Sequence, residues 1–308
     1  MTIYVDHPKT AEEIDKPCKG IQRILEARIS DLGTFTVRRV LPSQHQHMVG
    51  PWIFFDHFGP IDFPPYEGMD IRPHPHINMA TVTYLFEGEL THRDSTGATQ
   101  VIKPGAVNVM FAGKGIVHSE RTPDHLKATG YTAHGLQLWL AMPEEIEQDE
   151  PDFFHFTAEE VRPFTTGAVT GRLMMGEAYG VRSAVKTFSP TLYFEASLPK
   201  GADLTLPTHV SEIGLYVING RLQDGETLID PGMMAVSTNH DGIKVVALED
   251  THIIVIGGEP LGHRYIWWNF VSSSADRIKQ AAYDWDARLF PEIPTDHDER
   301  IPLPEKKP

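Results

Sequence analysis

Cysteine is almost absent from this chain. Cys18 is the one thiol in 308 residues. No internal disulfide can form and no cysteine-based metal site can be built. Cys18 has no helix start or basic cluster beside it and reads as a plain packed or half-exposed thiol. Basic residues are also scarce: Lys and Arg number 27 against 42 Asp and Glu, leaving a net charge of −15. Such a surface repels phosphate backbones, and no local basic patch offsets it, so direct nucleic-acid binding is not expected. No apolar run approaches the roughly 20 residues that span a bilayer. The opening MTIYVDHPKTAEEIDKP shows no basic stretch followed by an apolar one, so no secretory signal is expected, and a reducing, cytoplasmic location follows.

Helical periodicity is scarce as well. Gly and Pro are plentiful, at 25 and 24, and between them lie short apolar runs: FTVRRVL, ATVTYLF, VNVMFA, GLQLWLAM, TLYFEASL, GLYVING, KVVALE and HIIVIGG. Many of their residues are β-branched or aromatic, which points to an all-β chain of sandwich or barrel type. The pattern repeats. TYLFEGEL at 83–90 matches LYVINGRL at 215–222, and a Pro-Gly turn follows each, in IKPGAVNVMFAG at 102–113 and LIDPGMMAVSTN at 228–239. Two copies of one antiparallel barrel explain this better than one large barrel. The acidic stretch 142–164 reads as a linker with one helical turn at TAEEV, dividing the chain into halves at 1–150 and 151–308. After Ser272–Ser274, residues Ile278, Ala281, Ala282, Trp285 and Leu289 share a helical face, and Pro291 stops the run. The remainder is a Pro-rich, extended tail.

Sixteen histidines carry most of the chemical signal. In RPHPHINM, His74 and His76 stand two apart and face one side of an extended strand. Pro75 biases the segment away from helix and suits a strand entrance or edge. In GKGIVHSERTP, His118 and Glu120 repeat the spacing one hairpin later. If both pairs face one barrel interior, they offer three imidazoles and one carboxylate. That set suits a first-row divalent metal: Fe, Ni, Cu, Zn or Mn. In the second copy, His209 stands alone at nearly the distance from Gly220 that separates His76 from Gly88, and Val245 occupies the place of His118. The second barrel is therefore not expected to bind metal, and His209 and His240 read as ordinary polar residues. His92 and Asp94 read as a hydrogen-bonded turn. Asp56 and His57 could reach the barrel mouth. Trp52, Phe54, Phe55 and Phe58 read as core first and pocket wall second. The glycines of GEPLGH form no phosphate loop.

PHPHINMATVTYLFEGELTHRDSTG and PGAVNVMFAGKGIVHSERTP resemble the signature stretches of pirins, as do RRVLP, PWIFFDHFGP, GLYVINGRL and GHRYIWWNFVSSS, so the likeness covers most of the chain. The resemblance implies a bicupin whose N-terminal cupin holds one metal, foremost Fe(II), on His74, His76, His118 and Glu120. It also implies that the C-terminal cupin has lost its site. Many pirins carry a Glu four residues after the second histidine of the pair; Ala80 stands there. Two functions follow from the resemblance. One is a quercetin 2,3-dioxygenase-like enzyme that opens a flavonol ring with O2, giving a depside and carbon monoxide, with Glu120 as general base. The other is an iron-dependent redox regulator of a protein partner, either a transcription cofactor or a modulator of a metabolic enzyme. A binding module without turnover is a third.

Overall fold

The computed structural model describes residues 20–238 and 242–305. Cys18 and His240 lie outside them. All eight apolar runs form strands. Two seven-stranded sheets and two four-stranded sheets account for most of them, each large sheet sharing a half of the chain with a small one. The two small sheets have the same topology. In the first, Ile71–His76, Ile116–Arg121, Leu90–Asp94 and Thr99–Ile102 follow in spatial order; in the second, Asp203–Thr205, Lys244–Ala247, Leu222–Asp224 and Thr227–Ile229 do. The duplicated turns match in conformation too. Gly88 and Gly220 sit at φ 83° and 79°, a region that favours glycine. A Cβ at Gly220 would lie 2.5 Å from the carbonyl oxygen of Asp250, and one at Gly88 would lie 2.8 Å from that of Thr132.

Alternation along the strands divides the core. On Met79–Glu87, Ala80, Val82 and Tyr84 face one way; on Tyr131–Ala141, Leu136, Leu138 and Leu140 do the same. They join Tyr193, Tyr216, Met234, Ile254 and Ile256 of the second large sheet in one cluster, so the large sheets pack face to face. Trp52 anchors this contact. It is fully buried, its Nε1–H reaches the carbonyls of Leu192 and Gly257 at 3.2 and 3.1 Å, and its ring meets Tyr193 edge-on. Burying a large apolar side chain stabilises by about 1.5–3 kcal/mol, and the indole N–H loses nothing because it is paired.

Chain order and sheet order part at two strands. Arg23–Glu26 pairs with Met233–Thr238 in the second large sheet. Asp152–Phe156, within the stretch expected as a linker, pairs with Val107–Phe111 in the first. Each large sheet thus takes an edge strand from the segment preceding the other copy. The alternating aromatics of DFFHF find that edge, which acidic composition alone did not suggest. TAEEV keeps its single turn, through Val161 N–H to the Thr157 carbonyl.

The C-terminal helix spans Ala275–Asp286 and buries Ile278, Ala281, Ala282 and Trp285. It packs with Ile77, Val117, Trp267 and Phe270, against the strand bearing the paired histidines. Leu289 does not join them and is 63% exposed. The helix stops before Pro291 because Arg288 turns left-handed, at φ 58°, and the Arg300 guanidinium donates to the carbonyl of Trp285. Among the described residues no helix is long and apolar enough to cross a membrane.

Candidate metal centre

Ile71–His76 is an edge strand of the first small sheet, paired in that sheet with Ile116–Arg121, while the Pro73 carbonyl on its other side accepts from the Ile301 N–H at 2.9 Å. An edge tolerates Pro73 and Pro75, which lack the N–H that a central strand would need. The register sets His118 opposite His74 and Ile116 opposite His76, with an irregularity between His118 and Glu120. The ring centroids of the three histidines lie 4.3–5.0 Å apart, and their ligand nitrogens fall within 4.8 Å of one another.

Two of the rings are oriented by backbone carbonyls. His74 Nδ1–H donates to Arg72 O at 2.8 Å and His76 Nδ1–H to Asn269 O at 2.9 Å. That leaves each Nε2 as a lone-pair donor, the arrangement found behind metal-bound imidazoles. Both nitrogens of His118 are buried without a hydrogen-bond partner among the described residues. An orphan of this kind calls for a missing ligand. Burial holds His74 down at about 4 and His76 and His118 well below their ordinary value. All three are neutral at neutral pH, the form that binds a metal. The donor set therefore fits a divalent first-row ion.

His74, His76 and Glu120 border a cavity of about 380 Å³, walled by Phe35, Phe54, Phe58, Trp139 and Trp268. Glu120 stands apart from the tight nitrogen cluster. Burial raises its carboxyl to about 7. Gln137 reaches it with a long 3.4 Å contact, and Thr83 Oγ1 donates to Gln137 Oε1 at 2.7 Å, which turns the amide N–H toward the carboxylate. Arg39 and Asp56 form a buried bidentate pair on the same cavity, both bonds at 2.7 Å, with the guanidinium over Phe54.

Other sequence candidates divide between site and scaffold. Asp56 does reach the cavity. His57, the next residue along the strand, points oppositely, into the contact between the large sheets, where it meets the Tyr216 hydroxyl at 3.0 Å and His134 at 2.8 Å. Phe54 and Phe58 are cavity wall, whereas Trp52 and Phe55 are inter-sheet core. His92 donates to Asp94 at 2.9 Å, and Asp94 accepts from the Thr96 and Ala98 N–H groups, which is the expected turn. Ala80 faces the inter-sheet core, so its side chain does not point at the histidines. Sequence reasoning missed Gln137, Thr83, Trp139 and Asn269. Gln137 had a signal, since it is the polar residue in the otherwise apolar GLQLWLAM. Asn269 acts through its backbone and had none.

The second half shows what fills a barrel without a site. Val245 pairs with Leu204 as His118 pairs with His74, and Ala247 pairs with Leu222 as Glu120 pairs with His92. Leu206 N–H bonds to Ile243 O, placing Leu206 where His76 stands. All five aliphatic replacements are buried in one cluster. His209, matched to His76 by counting, is instead an exposed residue beyond that strand, because the connection to the glycine turn differs in length.

Comparison with known proteins agrees with this duplication. Family models described as pirin and as the pirin C-terminal cupin domain match residues 34–140 and 193–291. A pirin-like protein of Caulobacter vibrioides is 45% identical, over 92% of this chain and 100% of its own. Human pirin is 32% identical, over 81% of this chain and 86% of its own. The crystal structure of a quercetin 2,3-dioxygenase from Acinetobacter baumannii superposes with a TM-score of 0.84 at 30% identity, covering 93% of this chain and 97% of that one. A bicupin chain with one such histidine cluster among its described residues, matched along both halves in this way, belongs to the pirin family.

Proposed function

We propose that the protein is a metal-dependent dioxygenase of the quercetinase type, with a flavonol-like phenol and O2 as substrates. The observation carrying this reading is the convergence of three neutral, buried imidazoles, two of which, His74 and His76, border an aromatic cavity. The metal favoured is Fe(II), with Cu, Ni, Mn or Zn as alternatives, held by His74, His76, His118 and Glu120. Such an ion would act as a Lewis acid and lower the pKa of a coordinated hydroxyl.

The protein's own groups supply the rest. A volume of about 380 Å³ falls in the range of roughly 300–1,000 Å³ usual for small-molecule sites. The aromatic walls suit a flat ring system and keep water from it. Glu120 accepts the substrate hydroxyl proton; a carboxyl near 7 is matched to that task at neutral pH. Gln137 keeps the carboxylate aimed. The likeness to a structure named for quercetin 2,3-dioxygenase supports the substrate class.

The test is oxygen uptake by Fe-, Cu- and Ni-reconstituted protein with quercetin, beside Glu120→Gln. Uptake in the parent and a large loss in the variant support the reading. No uptake at full metal occupancy refutes it and turns attention to the redox-regulator role, for which the acidic surface favours a protein partner over nucleic acid.

A further inference from the structure

The hairpin Tyr265–Trp267 and Phe270–Ser272 closes through two residues, Trp268 and Asn269. Trp268 has φ 55°. The first central position of such a turn favours glycine, and a bulky side chain there is strained. The strain is held in place by three successive anchors. Asn269 O accepts from His76 Nδ1, Phe270 bridges to Ile77, and the Ser272 hydroxyl accepts from the Asn78 side-chain amide. The indole of Trp268 stands edge-on to Phe270 at 5.4 Å, is half-buried, and borders the cavity of the histidine cluster. The stacked Phe54–Trp139 pair borders the same space.

A turn needing only a tight reversal would carry glycine. A tryptophan locked in that conformation, with its ring at a cavity, requires a further reason. We infer that the Trp268–Asn269 turn is a ligand-binding element of the site. The Trp268 ring supplies the face on which a planar aromatic ligand rests, while the Asn269 carbonyl sets the tautomer of His76. The C-terminal half thus completes the substrate cavity of the half that bears the histidines. This inference rests on the proposed function for its ligand class, but not for turnover.

The test compares Trp268→Gly and Trp268→Ala with the parent, using quercetin and also flavone, which lacks the 3-hydroxyl. Binding is followed by fluorescence in metal-free protein, and metal content is measured after iron loading. Both variants should bind both probes about three- to tenfold more weakly, the worth of one aromatic pair. Metal content should be unchanged, since the backbone carbonyl remains. Trp268→Gly should melt above Trp268→Ala, because glycine relieves the positive φ. Unchanged probe binding, or no flavone binding by the parent, overturns the inference. So does a parallel fall in metal content in Trp268→Gly, which would make the residue a structural support. Flavone binding that depends on Trp268, without quercetin turnover, would sink the dioxygenase reading and leave the inference standing.

Discussion

His76 Nδ1 lies 2.9 Å from the carbonyl oxygen of Asn269, so the last part of the chain orients a histidine of the first half. Phe270, fully buried beside Asn269, packs with Ile77 and Trp285 and holds that carbonyl in place. Phe270→Ala should destabilise the protein by about 3–5 kcal/mol, the usual cost of emptying a buried aromatic site. Metal affinity should fall with it, as His76 loses its fixed orientation. Denaturant unfolding and metal titration of the same sample check both. Lost stability with unaltered affinity would show that the C-terminal hairpin does not position His76.

The orphaned nitrogens of His118 make a sharper case. Val245 holds the corresponding place in the other small sheet without difficulty. An unsatisfied buried polar group costs about 1–3 kcal/mol. His118→Val should therefore leave the metal-free protein at least as stable, with an expected gain of about 1 kcal/mol, while abolishing metal binding. Urea unfolding with a chelator present is the measurement. A clear loss of stability would mean that His118 has a structural partner and is not held in reserve for a ligand.

Acid should unfold the metal-free protein early. His74 titrates at about 4, His134 at about 4 and His57 at about 2, with His76 and His118 also well below 6.5. A histidine whose folded pKa is depressed contributes fully above its unfolded value and loses that contribution as pH falls toward the folded one. Each fully buried histidine thus removes about 1.4 kcal/mol per pH unit below 6.5. Glu120, raised from 4.5 to about 7, acts in the opposite sense and loses stability as pH rises through that window. Buried Asp56, whose carboxyl is also raised by desolvation, acts in the same sense as Glu120, and these two carboxyls are outweighed by the five imidazoles. The urea midpoint of chelated protein should drop between about pH 7 and about pH 5; a flat or rising profile would contradict the burial of neutral histidines.

If Glu120 joins the three histidines as a ligand, as proposed, metal binding carries a proton signature. Ligation needs the carboxylate, and near pH 7 about half of the buried carboxyl still holds its proton. Calorimetric titration in buffers of different ionisation enthalpy should show close to one proton released at about pH 6 and nearly none at about pH 8. Glu120→Gln should release none at either. Equal release at both values would remove Glu120 from the ligand set.

Much of this was written in the sequence because it rests on short-range geometry. A period of two places His74 with His76, and Gly88 and Gly220 need their left-handed turns whatever surrounds them. The duplication was legible for the same reason. What stayed hidden depends on contacts between distant segments. Nothing in DFFHF says that it extends the first large sheet, nor in RILE that it extends the second. Counting from Gly220 picked His209 because one loop differs in length, and only strand pairing identifies Leu206. Ala80 looked like a lost ligand until the alternation of Met79–Glu87 turned it to the other face. A backbone carbonyl such as that of Asn269 leaves no mark in composition or spacing.

The central claim is that one half of a duplicated fold holds a metal and the other, filled by Leu204, Leu206, Leu222, Val245 and Ala247, does not. Elemental analysis of the iron-reconstituted protein tests it directly, with His118→Val beside the parent. The account requires one ion per chain in the parent and none in the variant. Two ions per chain, or an ion retained after the substitution, would contradict it.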